Sequence, residues 1–203
     1  LFYFLGILLL ILGKPLDAGG QAFSPGSAFV VPMEQTQYRL IRGIFDTTTT
    51  FQDSIFYDVS SWALPLAFNV NYAELKGKDF NKGLLGEAVA GLAPERRISP
   101  PSMSQYAYIL EWEDYYAPRA LNYLMANGLR AKVATRDFEL EGRKYRRGAI
   151  LIPVQNQPRA AAQVHQLVSR AAEDAKAPIY AVSTGLTPSG IDLGSNDFEP
   201  LKM

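Results

Sequence analysis

The chain has 203 residues, which is enough for one domain with a sizeable core. Its 20 basic and 20 acidic side chains balance, which argues against a nucleic-acid-binding protein because such proteins carry a basic surface. The chain has no cysteine and one histidine, His165, so it forms no disulfides and lacks the ligands of the usual zinc sites.

The chain begins with an apolar run over residues 1–12, interrupted only by Gly6. The run is too short for a confident membrane span, and small residues follow it. This pattern is typical of a secretory signal, so we predict a leader over residues 1–22. The protein is then extracytoplasmic, periplasmic or secreted, with no stable membrane span after the leader is removed. The alternative is a buried strand or helix of the fold.

Short elements follow the leader. A buried strand is predicted over residues 28–32, where the final proline cannot continue a ladder. Residues 35–45 predict a helix, because their apolar side chains recur at helical spacing. Residues 76–104 are rich in glycine and proline and predict an irregular insertion, with a short helix over residues 84–89.

Residues 51–72 are unusually rich in aromatic side chains, which indicates a segment that anchors a core. Asp58 lies among the rings, and a buried carboxylate is costly unless it is hydrogen-bonded. Asp58 therefore either holds backbone amides and hydroxyls or faces a ligand. On the second interpretation, Asp58 and Trp62 are candidate ligand-binding residues.

The second half of the chain alternates strands with helices, and the strands are continuous apolar runs. This pattern indicates an α/β fold with an open, mostly parallel sheet and helices on both faces, doubly wound and flavodoxin-like or amidotransferase-like. We predict one such domain over residues 23–203. Strands are predicted over 106–112, 129–134, 149–154 and 179–182, helices after Asp114 and from Pro158, and a hairpin or loop around Glu141 and Gly142.

The loop over residues 185–195 follows the last predicted strand, where open α/β sheets bind ligands. Its glycines and hydroxyls suit an anion-binding nest, which makes Asp192 and Ser195 candidate ligand-binding residues. The alternative is an ordinary loop of turn glycines in which Asp192 caps backbone amides.

Two further sets of residues carry groups that take part in catalysis in other proteins. Glu111, Glu113 and Asp114 are either paired carboxylates for acid–base work or negative charge at a helix N-terminus. His165 is followed by Gln, Leu and Val, so it lacks the carboxylate of a zinc motif and is interpreted as a partly exposed helix residue. No catalytic residue and no metal ligand is predicted.

Five stretches together resemble the large extracytoplasmic zinc carboxypeptidase-like proteins of bacteria, in the region after their catalytic domain. The block Tyr-Asp-x-Ser-x-Trp-x-Leu-Pro is fairly specific, and the likeness extends over nearly everything beyond the leader. The stretches are residues 28–42, 56–70, 115–121, 148–154 and 184–195.

In that family a His-x-x-Glu pair and a distant histidine hold zinc in the upstream domain, and no position of this chain matches them. The resemblance therefore implies a non-catalytic accessory domain, inactive alone and without a cofactor of its own, since the zinc belongs to the catalytic domain. Its implied partners are the peptidase catalytic domain or a peptide substrate. The alternative is a stand-alone extracytoplasmic α/β domain that binds a peptide or a sugar.

Overall fold

A computed structural model describes residues 6–47, 64–68, 70–89 and 97–202. The chain divides into two compact units, Leu1–Glu95 and Arg96–Met203. Among the described residues, no helix combines the length and the apolarity that a bilayer crossing requires.

The first unit is built from short elements around a three-stranded antiparallel sheet, in the order β4-β1-β5. Strands β2 and β3 form a separate hairpin. In chain order the elements are β1 (Leu10–Leu12), β2 (Leu16–Ala18), β3 (Gln21–Phe23), β4 (Phe29–Val30), α1 (Tyr38–Phe45), α2 (Leu64–Ala67), a 3-10 turn (Lys82–Leu84) and β5 (Leu85–Ala88).

The described part of the apolar run, residues 6–12, takes part in this fold. Strand β1 is the central strand of the sheet, and Leu12 within it is buried. Ile7 packs with Ile41 and Ile44 of α1 in a small apolar cluster. Residues 6–12 thus belong to the fold, which is the alternative interpretation of the run. Processing of residues 1–22 as a leader stays a prediction, because a fold does not report cleavage.

The helix predicted over residues 84–89 is wrong. Residues Leu85–Ala88 form β5, which pairs with β1. Gly86 explains the close pairing, because a Cβ at this position would lie 2.7 Å from the carbonyl oxygen of Ile11. The partner strand decides the conformation here, and a short apolar run does not distinguish a strand from a helix.

The second unit contains a five-stranded sheet in the order β11-β6-β10-β7-β12, and each neighbouring pair is antiparallel. Strands β8 and β9 form a hairpin outside it. The elements are β6 (Ala107–Leu110), α3 (Ala117–Ala126), β7 (Lys132–Ala134), β8 (Phe138–Leu140), β9 (Arg143–Tyr145), β10 (Ile150–Pro153), α4 (Ala161–Ala175), β11 (Ile179–Val182) and β12 (Phe198–Pro200).

The connections of this sheet follow a split β-α-β plan. Strands β6 and β7 are joined by α3 and run parallel to each other, but β10 is inserted between them. Strands β10 and β11 are joined by α4 in the same way, with β6 inserted between them. Each helix therefore connects two strands that are not neighbours.

The predicted open, mostly parallel sheet with helices on both faces is wrong. The described residues contain several small antiparallel sheets and no long parallel sheet. The physical reason is that both faces of β6 and β10 are buried, so their apolar runs look like those of a parallel sheet. The sequence pattern does not report which strand is inserted between the two that a helix connects.

Different structures cover the two faces of the sheet. Tyr108 and Leu110 point to the face covered by α3 and α4, which we call the helix face. Ala107 and Ile109 point to the opposite face, where the β8–β9 hairpin and the chain after β11 pack, and which we call the hairpin face. The largest buried side chains of the hairpin face are Phe138, Leu140, Tyr145, Leu151 and Phe198.

Two local signals in the second unit are confirmed. A helix, α3, follows Asp114, but its N-cap is Tyr116, whose backbone N–H donates to the Asp114 carboxylate at 3.0 Å, and Pro118 lies in the first turn. The hairpin predicted around Glu141 forms, with φ of 51° at Glu141 and 76° at Gly142. Two successive positive φ values are typical of the tight turns that join antiparallel strands.

Candidate functional site

The predicted ligand-binding residues fall in two parts of the chain. Asp58 and Trp62 lie outside the described residues. Asp192 and Ser195 lie in the loop after β11. The structure therefore locates only the second pair.

The loop after β11 closes on itself. One carboxylate oxygen of Asp192 accepts both the N–H (2.8 Å) and the hydroxyl (3.1 Å) of Thr187. The hydroxyl of Ser195 accepts the N–H of Asp197 at 3.2 Å, and the N–H of Ser195 donates to the carbonyl of Asp192. These contacts support the alternative in which Asp192 caps the loop, and a ligand role for the two residues stays a prediction.

Two glycines set how this loop packs on the hairpin face. A Cβ at Gly185 would overlap the phenol ring of Tyr106. Gly190 has φ of 88°, and a Cβ there would overlap the carbonyl oxygen of Asp137 and the backbone of Phe138. The loop can approach the hairpin this closely only because these positions have no side chain.

The single histidine belongs to a hydrogen-bonded chain on the helix face. His165 is half-buried on α4, as predicted, and its Nδ1 lies 3.0 Å from the hydroxyl oxygen of Tyr108. The same hydroxyl accepts the N–H of Ser104 at 2.9 Å, so its proton is available to Nδ1. Burial raises the pKa of Tyr108, and the Ser104 hydrogen bond opposes this rise.

Ser104 is buried, and its hydroxyl is already engaged. It donates to the carbonyl of Val182 at 2.6 Å and accepts the N–H groups of Tyr106 and Ala107. This hydroxyl joins the start of β6 to the end of β11, which is a structural role. Within the described residues, no group of three or more histidines or carboxylates is arranged to hold a metal ion.

A second polar group lies at the rim of the hairpin face, and we call it the hairpin cluster: Glu111, Arg143, Tyr145 and Tyr180. Glu111 directly follows β6, Arg143 and Tyr145 belong to β9, and Tyr180 lies on β11 opposite Ile109. The guanidinium carbon of Arg143 is 3.8 Å from the ring centroid of Tyr180, in a cation–π contact. The rings of Tyr145 and Tyr180 meet edge to face.

Burial dominates the electrostatics of this cluster. It raises the pKa of Glu111, the Arg143 charge opposes the rise, and the charges of Glu113 and Asp114 add to it. Burial also raises the pKa of Tyr145 to about 12. The cluster therefore holds a carboxylate that is only partly compensated by its neighbouring cation.

The two ion pairs near the rim differ in geometry. Glu113 and Arg146 are 3.2 Å apart and hydrogen-bonded. Glu111 and Arg143 are 3.9 Å apart, which is too far for a hydrogen bond, although both carboxylates are equally exposed at 32%. Among the described residues, neither the Glu111 carboxylate nor the Arg143 guanidinium makes a hydrogen bond, so this acceptor and this donor group remain available side by side.

Sequence reasoning found one of the four residues of this cluster, Glu111. It singled out Glu111, Glu113 and Asp114 as a group of carboxylates, and the structure splits them between a pair with Arg143, a pair with Arg146 and a turn before α3. It missed Arg143 and Tyr180, because the sheet and the hairpin bring them to Glu111 from distant positions in the chain.

We found no family model that matches this chain. No curated protein and no solved structure matches it either. The resemblance to zinc carboxypeptidase-like proteins therefore stays a prediction.

Proposed function

We propose that this chain is a non-catalytic accessory domain of an extracytoplasmic zinc carboxypeptidase-like protein. The five stretches that resemble that family support the proposal. The observation that carries it is the setting of His165, the only histidine, which contacts Tyr108 at 3.0 Å as part of the fold. Hydrolytic zinc sites use several nitrogen, sulfur or carboxylate ligands, and this chain has a single imidazole and no thiol.

On this proposal the domain works through binding. It packs on the peptidase catalytic domain or helps to present a peptide substrate to it. A role of this kind needs a stable fold with an accessible polar or aromatic surface, and it needs no nucleophile or general base. The rim of the hairpin face offers such a surface, with charged side chains and a tyrosine ring.

Zinc content and peptidase activity of the purified chain test the proposal. We expect no stoichiometric zinc after dialysis against a zinc buffer and no release of the C-terminal residue from N-blocked dipeptides with basic, acidic or aromatic ends. The His165→Gln variant is the matched control, and we expect it to behave like the parent. Stoichiometric zinc with turnover that this substitution removes would contradict the proposal.

A second candidate function is a stand-alone ligand-binding domain for a peptide or a sugar. The specific observation that favours it is the hairpin cluster, where a partly buried carboxylate lies beside a guanidinium without a hydrogen bond between them. Side chains of perturbed pKa that are not satisfied within the fold are typical of binding sites. This function and the first one share the absence of catalysis and differ in whether the ligand belongs to a larger peptidase.

A further inference from the structure

In the hairpin cluster, the Glu111 carboxylate and the Arg143 guanidinium make no hydrogen bond to the described residues. The side chain of Glu111 is 32% exposed and that of Arg143 is 45% exposed, so a ligand can reach both. A half-buried carboxylate is stabilised by hydrogen-bond donors, and the described part of the chain supplies none to Glu111. The guanidinium of Arg143 lies over the ring of Tyr180, and this contact does not use its N–H groups.

The charges of the pair select against ions as ligands. An anion bound to Arg143 would be repelled by the Glu111 carboxylate, which lies 3.9 Å from the guanidinium. A cation bound to Glu111 would be repelled by Arg143 in the same way. A neutral ligand with one donor and one acceptor on the same edge meets no such repulsion. A residue of an extended peptide has this form, since its N–H and C=O point to the same side.

We propose that Glu111 and Arg143 bind an extended peptide through the backbone of one residue, whose N–H donates to the carboxylate and whose C=O accepts from the guanidinium. The proposal rests on the binding role under the second candidate function, and it names the ligand as peptide and not sugar. Two hydrogen bonds at an open rim supply little free energy, so the dissociation constant of a short peptide lies in about the millimolar range.

Nuclear magnetic resonance on the full chain tests this proposal. The probe is N-acetylalanine N-methylamide, whose single residue has one N–H and one C=O on the same edge. Its control is N-methylated at the alanine, which removes this N–H and keeps every C=O. We expect saturable shifts of the Arg143 Nε–H signal, assigned by its loss in Arg143→Lys, with the first peptide and at least about tenfold weaker binding of the second. Acetamide and N-acetylglucosamine test a lone amide and a sugar as alternative ligands.

Matched variants identify the residues. Glu111→Ala is expected to weaken binding about tenfold, and Arg143→Lys to weaken it severalfold, because lysine keeps the charge and loses the planar fork. Glu113→Ala is the control, since Glu113 is equally exposed and hydrogen-bonded to Arg146. The same spectra report whether each variant is folded.

Three results would each overturn the proposal. The first is the absence of a saturable Arg143 shift with the blocked peptide. The second is equal binding of the N-methylated control, and the third is an equal loss in Glu113→Ala. Binding of acetamide or N-acetylglucosamine without binding of the peptide counts against it as well. None of these results bears on zinc content or peptidase turnover, so they leave the accessory-domain proposal standing.

Discussion

The two faces of the five-stranded sheet are built by the same strands but have different character. The buried side chains that α3 and α4 contribute to the helix face are small or aliphatic, and the hydroxyl of Tyr108 on this face is hydrogen-bonded to His165 and Ser104. The hairpin face is aromatic and ends in a charged rim where the hairpin cluster lies. Strand β6 therefore packs against the two helices through one face, and Glu111 at its end belongs to the accessible hairpin cluster of the other face.

The largest loss in the free energy of unfolding is expected from a substitution on the helix face. Leu124→Ala removes a fully buried side chain from α3 and leaves a cavity, which lowers the free energy of unfolding by about 3 kcal/mol. Leu121→Ala, on the same helix but partly exposed, is the control and is expected to lose about 1 kcal/mol or less. Chemical denaturation measures both losses. Equal losses would show that α3 does not bury Leu124 more deeply than Leu121.

The packing of the loop on the hairpin face gives the next effect. Gly190→Ala places a methyl group against the carbonyl of Asp137 at a positive φ, so we expect a loss of about 2 kcal/mol. Gly194→Ala is the control, because its Cβ would meet open space and its φ is ordinary. If both variants unfold at the same denaturant concentration, the close approach of loop and hairpin is not present in solution.

The hydrogen bonds among Ser104, Tyr108 and His165 on the helix face contribute less to the free energy of unfolding. Tyr108→Phe keeps the ring and removes the hydroxyl, which leaves the buried N–H of Ser104 without its acceptor. The expected loss is about 1–2 kcal/mol, and the chemical shifts of the His165 ring change because Nδ1 loses its partner. Tyr116→Phe, whose ring is more exposed, serves as control. An unchanged His165 spectrum in Tyr108→Phe would argue against the contact.

The dependence of stability on alkaline pH tests the burial of Tyr145 on the hairpin face. The pKa of Tyr145 rises from 10.0 to about 12 on burial, so the unfolded chain releases this proton at lower pH than the folded chain. Stability is therefore lost as pH rises from about 10 to about 12. Tyr145→Phe should flatten the dependence of the unfolding midpoint on pH in this window. The same slope in the variant and the parent would mean that Tyr145 is not buried.

The smallest effect concerns Glu111. Its pKa is raised by burial, so below its unfolded pKa both states are protonated and the residue contributes nothing. As pH rises through both values the carboxylate is disfavoured in the fold, and stability falls. Glu111→Gln is therefore expected to be slightly more stable than the parent near neutral pH, by less than about 0.5 kcal/mol, and equal to it in acid. A less stable variant at neutral pH would show that Arg143 outweighs burial.

Elements with strong local signals were predictable. The bounds of β11 agree with the predicted strand, and α3 begins after Asp114 as predicted. Elements that depend on a distant partner were not predictable. Strand β5 was expected as a helix, and β12 was not expected at all, because each is only a few residues long and is formed by pairing with β1 or β7.

The candidate site divides in the same way. Glu111 stood out because it lies close to Glu113 and Asp114 at the end of a predicted strand, and the residues themselves display this. Arg143 and Tyr180 did not stand out, because an exposed arginine in a hairpin and a tyrosine in a strand are common. Their relation to Glu111 appears only when β9 lies over the face and β11 pairs with β6.

By itself the sequence determined the alternation of strands and helices in the second unit, the hairpin turn at Glu141, and the lack of enough imidazoles for a zinc site. These depend on the chemistry of neighbouring residues and on composition. Only the tertiary structure decided that the strands interleave as antiparallel neighbours and that Glu111 meets Arg143. The reason is that strand order and long-range pairs are set by packing among the covering elements, and a strand buried on both faces has the same apolar pattern whatever its neighbours are.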